Sequence, residues 1–272
     1  MDISKEYCRE NVENILGVRI DNLSEDDILL RLEGFLAESK FHQIATVNPE
    51  FILEAQKNPE FKKILNNCDL NVADGFGIKC AFWRYGKNLK CRMTGADLML
   101  ELLRLAEKNN LKVFLAARAD GLSTWQETKE AILKVCPNLQ IDGADIECHS
   151  HAAPAGRQVG GNPVSGLAVS ALDSRLRGND KYILFVNFGA PSPELFINSV
   201  KNDSIRLAMG VGGSFDFLTG KVWRAPNFMR SLGLEWLWRL IQPQPWKFKK
   251  ERLKRIFRAV VIFPVKVILN RN

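Results

Sequence analysis

Short apolar runs alternate along this chain with longer segments whose apolar residues recur at three- and four-residue spacing. The first pattern suits a buried strand and the second an amphipathic helix. A short strand around 17–20 is followed by "LSEDD", which predicts a helix through about 38 with Ser24 as N-cap and Asp27 at its third position. "HQIATV" predicts a strand, and "NPEFILEAQKN" a helix with Pro49 in the first turn, where no N–H is needed. "NPEFKKILNNC" predicts a helix, "DLNVA" a strand, and 76–85 another helix. In "TGADLMLELLRLAEKNN", Leu98, Leu102, Leu105 and Ala106 fall on one helical face. "KVFLAA", "LQIDGADI", "YILFVNFGA" and "IRLAMGVGG" read as strands, and "GLSTWQETKEAILKVC" and "SPELFINSVK" as helices between them.

Strands alternating with helices imply an α/β fold: a mostly parallel, Rossmann-like sheet with helices on both faces. In such sheets ligands sit beyond the carboxyl ends of the strands. That rule gathers Thr46 to Asn48, Asp74, Gly189 to Pro191 and Gly210 to Asp216 along one edge. Residues 148–181 break the alternation with Gly, Pro, Ser and Ala, and read as a mobile surface insert. From 229, "MRSLGLEWLWRLI" reads as an amphipathic helix. After "QPQP", "WKFKKERLKRIFRAVVIF" interleaves Lys and Arg with apolar residues, as an interfacial helix does.

Composition sharpens this picture. With 272 residues, 46% of them hydrophobic, the chain supports one large domain or two small ones. The opening residues are too polar for a signal peptide, and no apolar run reaches the roughly 20 residues of a spanning helix. Six cysteines without a C-x-x-C pair read as reduced thiols of a cytosolic protein. "CHSH" at 148–151 lacks the second half of a metal site, so no metal is expected. Residues 221–272 hold thirteen Lys and Arg against Glu235 and Glu251, a surplus of eleven; the whole chain is +7, so residues 1–220 carry −4. The expected division is therefore a core over 1–220 and a basic amphipathic tail over 221–272. Such a tail suits an anionic membrane surface, and less well a nucleic acid.

The candidate chemistry lies at the strand ends. Asp74, before Gly75, is either a helix N-cap or a general base in a cleft. Thr46 and Asn48 can orient sugar hydroxyls, although Asn48 before Pro49 also suits a cap. Arg92 is a surface charge or a phosphate ligand. "GVGGSFDF" at 210–217 is a tight turn, or a place where backbone N–H groups approach a diphosphate. No D-x-D pair stands at a strand end, so leaving-group charge would fall to cations and amides.

These segments carry a resemblance. "TVNPEFILEAQKNPEFKKILNNCDLNVADGFGI", "RMTGADLMLELL", "ILFVNFGAPSPE", "GVGGSFDFLTGKVWRAP" and "LGLEWLWRLIQ" resemble the WecG/TagA/CpsF glycosyltransferases, family 26, from about residue 15 to 255 apart from 148–181. The resemblance implies an inverting transfer of an N-acetylmannosamine-type sugar, or its uronic acid, from a UDP donor. The acceptor would be a polyprenyl-diphosphate-linked amino sugar at the cytoplasmic face of the plasma membrane, with no metal or other cofactor and no nucleic acid partner. It implies Asp74 as base, with Thr46 and Asn48 beside it, and Arg92 in the site. Gly212, Gly213 and Asp216 would lie in the nucleotide region and Arg239 near the donor diphosphate, the tail both docking on the membrane and closing the site. Two departures stand out: "GAPSPE" puts Pro193 where the family has a glutamine, while keeping Glu194, and 148–181 replaces a helical segment. A nucleotide- or nucleic-acid-binding module without turnover, and a transferase that has lost activity, are the competing readings. Homo-oligomerisation is left open.

Overall fold

The computed structural model describes residues 11–147, 176, 180–231, 234–242 and 253–270, without the side chains of 227, 231, 236 and 239. The "CHSH" stretch at 148–151, nearly all of the 148–181 insert and the basic run at 243–252 lie outside the described residues.

The described residues begin with a hairpin of which the sequence predicted only the second strand: β1 (Val12–Ile15) pairs antiparallel with β2 (Val18–Asp21). Its two-residue turn, Leu16–Gly17, has positive φ at both positions, the geometry that matches strand twist. Then come α1 (Glu25–Ala37), β3 (His42–Val47), α2 (Pro49–Ala55), α3 (Pro59–Asn67), β4 (Leu70–Ala73), α4 (Phe76–Arg84) and α5 (Gly95–Lys108). They are followed by β5 (Lys112–Arg118), α6 (Trp125–Leu133), β6 (Ile141–Ile146), β7 (Tyr182–Asn187), α7 (Ser192–Val200), β8 (Ile205–Gly210) and α8 (Ser214–Leu218). Strands β3 to β8 form an all-parallel sheet in the order β4-β3-β8-β7-β5-β6. This is the Rossmann-like α/β architecture that the alternation predicts.

Both faces of the sheet are buried, which explains the continuous apolar strands. Ile183, Phe185, Leu207 and Met209 enter one core with α1, α5 and α6. Their neighbours Leu184, Val186 and Ala208 enter another with Phe196 and Ile197 of α7. A third cluster joins Ala45, Val47 and Ala73 to α2, α3, α4 and the hairpin. The hairpin also covers the β4 edge: the Asn71 N–H donates to Asp21 Oδ2 at 2.7 Å and Asn71 Nδ2 donates to the Arg19 carbonyl.

Helix starts follow their caps. Ser24 and Asp27 form the expected capping box of α1, and Thr124 with Glu127 forms another on α6. Asn48, Asn58 and Thr94 cap α2, α3 and α5. The tail differs from the single helix expected at 229–241. It contains two short helices, α9 (Asn227–Ser231) and α10 (Glu235–Ile241). Arg92 Nη2, donating to the Arg230 carbonyl at 3.0 Å, fixes the end of α9.

Helical backbone then spans 253–269, ending in α11 (Phe263–Leu269). A π turn, Arg258–Ile262, precedes Pro264. Proline removes one N–H and crowds the carbonyl four residues back, and a wider turn at that point accommodates it. Phe263 and Val267 bury themselves in the cluster beneath α4. Among the described residues no helix is long and apolar enough to cross a membrane.

Gly143 in β6 makes a test of this packing. A Cβ there would lie 2.6 Å from the Leu115 carbonyl oxygen and 2.8 Å from the Trp125 ring. Gly143→Ala should destabilise the fold by about 1–3 kcal/mol, read as a lower midpoint in denaturant unfolding.

Candidate active site

The four strand-end segments do converge. Thr46, Asn48, Asp74, Gly189, Ala190 and Gly210 to Ser214 line one cleft of about 710 Å³ at the carboxyl edge of the sheet. Arg92, Glu194 and Asp216 line it as well. Of the sequence-predicted residues, only the Arg239 side chain lies outside the described structure; its backbone is in α10, whose neighbours Leu234 and Glu235 reach the cleft.

Asp74 leaves β4 with its N–H donating to the Val47 carbonyl at 2.8 Å. It is not the cap of α4. Gly75 holds that position, at φ 86° and ψ 153°, a backbone region essentially restricted to glycine. The Asp-Gly pair therefore divides the work: glycine turns the chain and the half-buried carboxylate stays at the cleft. Asn48, by contrast, does cap its helix, with Oδ1 accepting from the Phe51 N–H at 3.0 Å. Its Nδ2 is left as a donor at the cleft. Thr46 is nearly buried, and its Oγ1 lies 3.3 Å from where Gly95 would carry a Cβ, so α5 begins directly against β3.

The start of α5 organises the cationic end. Thr94 Oγ1 donates to Asp97 Oδ2 at 2.6 Å. Arg224 Nη2 donates to Thr94 Oγ1 at 3.0 Å and pairs with Asp97 Oδ1 at 2.6 Å, while Arg230 Nη1 stands 3.9 Å from the same oxygen. Burial opposes ionisation of Asp97, but hydrogen bonds from Arg224 and Thr94 and the two arginine charges hold its carboxyl below the ordinary value. Two guanidiniums thus face the Asp97 carboxylate, and Arg92 joins them through its bond to the Arg230 backbone. Sequence reasoning missed Arg224, Arg230 and Asp97. Arg224 lies 130 positions from Thr94, and no local pattern pairs them.

The glycine-rich turn behaves as a turn and a cleft wall together. Gly212 has φ 50°, in the left-handed region, and Gly213 precedes α8. Asp216 Oδ1 accepts from Ser123 Oγ at 2.8 Å, tying α8 to the loop before α6. On the opposite wall the C-terminal helix contributes Arg255, Ile256, Ala259, Val260 and Pro264. Arg255 pairs with Glu50 at 3.3 Å and Arg258 with Glu54 at 3.1 Å. These bonds hold the tail helix against α2.

Glu194 is the anomaly. It is fully buried, and neither carboxyl oxygen has a partner among the described residues. Its Oε1 occupies the space where Gly210 would carry a Cβ, 2.5 Å away. Pro193 sits 2.8 Å from the same point, so it packs against the cleft floor. Burial pushes the Glu194 carboxyl up to about 8.

The match to known proteins agrees with this geometry. Residues 13–272 match the model of the glycosyl transferase WecG/TagA/CpsF family, and the chain belongs to that family. A relative from Bacillus spizizenii (strain ATCC 23059 / NRRL B-14472 / W23) is 31% identical over 216 residues, covering 78% of this chain and 76% of its own. It is named N-acetylglucosaminyldiphosphoundecaprenol N-acetyl-beta-D-mannosaminyltransferase.

The raised Glu194 makes a stability prediction. The folded state keeps the proton that the unfolded chain releases near its ordinary value of 4.5, so this stabilisation is complete below that value and is lost as pH rises through about 8. Glu194→Gln should unfold at a higher temperature than wild type at pH 8.5, with the gap closing toward pH 4.5. Equal midpoints across that range would contradict the buried acid.

Proposed function

We propose that this chain transfers an N-acetylmannosamine-type sugar, or its uronic acid, from a UDP donor to a polyprenyl-diphosphate-linked amino sugar, with inversion at the anomeric carbon. The observation that carries the reading is the placement of Asp74, Asn48 and Thr46 in one cleft with an arginine cluster, in a member of this glycosyl transferase family. The relative's name supports the sugar and the lipid diphosphate.

In this mechanism the Asp74 carboxylate takes the proton of the acceptor hydroxyl. The acceptor oxygen attacks the anomeric carbon from the face opposite the leaving group. The sugar–phosphate bond breaks and UDP departs with the electron pair. Asn48, whose Oδ1 is committed to the helix cap, offers its amide N–H to a sugar oxygen. Thr46 supplies a hydroxyl at the same level. Arg92, Arg224 and the N–H groups of the Gly212–Gly213 turn offset the charge that develops on the diphosphate, a role a metal ion fills in other transferases. Arg239 joins them from α10. Asp216 and Glu194 border the donor, where Glu194, as a neutral acid, donates rather than accepts.

The division into a catalytic core over 1–220 and a docking tail over 221–272 belongs to the same reading. It is supported by the tail's charge surplus and by the ion pairs that hold the tail helix beside the cleft. The enzyme would work as a peripheral protein on the cytoplasmic face of the plasma membrane.

Asp74→Asn should lower kcat by about 10²–10⁴ while leaving the folded state and donor affinity intact. The measurement is transfer from candidate UDP-sugars to a short-chain lipid diphosphate acceptor. Normal turnover by the folded variant rejects the base assignment. If wild-type protein transfers no sugar but binds RNA or DNA in a salt-sensitive manner, the binding-module reading replaces this one. Arg224→Gln should cost about 10²-fold in kcat, as loss of one charge-stabilising donor does elsewhere.

A further inference from the structure

Helix α4 carries an exposed stripe that the cleft chemistry does not use. Phe76, Cys80 and Trp83 stand at i, i+4 and i+7, on one helical face. Phe76 and Cys80 line the cleft. Trp83 continues their row and is 82% exposed, although Ile78, Ala81 and Phe82 of the same helix are buried. Alongside lies the C-terminal helix, with the Phe263 ring 3.6 Å from where Gly77 would carry a Cβ and Asn270 Nδ2 3.5 Å from Tyr85 Oη. Its outward row repeats every fourth residue: Leu253, Phe257, Val261, Val265 and Leu269, all exposed. The π turn, with more residues per turn than an α-helix, counters the angular drift of a four-residue spacing.

The charge on these two elements has one sign. Residues 76–87 contain Lys79, Arg84 and Lys87, and residues 253–270 contain Lys254, Arg255, Arg258 and Lys266, with no Asp or Glu in either stretch. Lys87, Arg255 and Arg258 pair with Glu13, Glu50 and Glu54 of neighbouring elements, so the surplus charge of the face rests on Lys79, Arg84, Lys254 and Lys266. We propose that α4 and the C-terminal helix form a single docking face for an anionic lipid bilayer, with Trp83 as an interfacial anchor supplied by the core itself. Apolar side chains among cations, with an amphipathic aromatic at the margin, match a lipid headgroup boundary. A second copy of the chain fits less well. A two-fold contact sets a patch against itself, so cations would face cations.

The arrangement also orients the cleft. Phe76, Cys80, Val260 and Pro264 make its apolar wall, on the β4 side and next to the docking face. Arg118 and Asp120 follow β5, and Asp216 is tied to Ser123 before α6, nearer the other end of the strand order. A lipid-linked acceptor then enters beside Asp74 and the nucleotide lies away from the membrane. This assignment rests on the transferase reading above.

The test uses the full chain and vesicles of phosphatidylcholine with or without phosphatidylglycerol. Trp83→Ser should weaken binding to the anionic vesicles about tenfold, the effect of losing most of one large apolar side chain from the interface. Its thermal midpoint and its turnover of a water-soluble short-chain acceptor should match wild type, while turnover of vesicle-embedded acceptor falls. Lys79→Glu should weaken binding to anionic vesicles and leave binding to neutral ones unchanged. Unaltered vesicle binding by Trp83→Ser overturns the inference, as does a Trp83→Ser variant that only dissociates a dimer in sedimentation equilibrium. If wild type transfers no sugar to the soluble acceptor yet Trp83→Ser still sheds vesicle binding, the docking face stands and the transferase reading falls.

Discussion

Burying both faces of a parallel sheet is the constraint on which the rest of this molecule depends. Once residues such as Phe185 and Leu184 point into separate cores, polar groups can gather only where the strands stop. Parallel strands all stop on the same edge. The reactive residues therefore need no shared sequence neighbourhood. Thr46, Asp74, Gly189 and Gly212 meet because their strands share one direction, and the cleft follows from the sheet.

A second layer of organisation is electrostatic. Asp97 is held ionised by Arg224 and Thr94, and through Arg224 and Arg230 it draws the chain after α8 onto the start of α5. Glu50 and Glu54 do the same for the C-terminal helix through Arg255 and Arg258. Burial pushes the Glu50 carboxyl up, against the pull of Arg255 and Arg258, so this pair sits in partly desolvated surroundings where charge interactions are less screened than at an open surface. The tail is thus bonded to the core by groups of which Glu50, Arg224 and Arg255 also border the cleft.

Much of this was legible beforehand, for identifiable reasons. Short continuous apolar runs made the sheet strands visible, and Ser24 and Asn48 announced their helices because short polar side chains cap well. The β1 strand was not legible. "VENI" has no apolar alternation to speak of, and pairing with β2 across a tight turn supplies what the side chains do not. The break between α9 and α10 escaped notice because the apolar period continues across it. The arginine cluster around Asp97 depends on contacts between distant segments, which spacing cannot reveal. Asp74 was read from position, with two roles open, and the cap role passed to Gly75, whose backbone angles no residue with a side chain adopts easily.

The contact between Glu194 and Gly210 has an evolutionary corollary. A carboxyl fills the volume where the last residue of β8 would otherwise place its first carbon, so neither position is free to drift alone. A larger residue at 210 becomes tolerable only after 194 has shrunk, and a shortened 194 leaves a void that invites a side chain at 210. Substitutions at the two sites should therefore be epistatic, accepted as pairs in descendants of this chain and rejected singly.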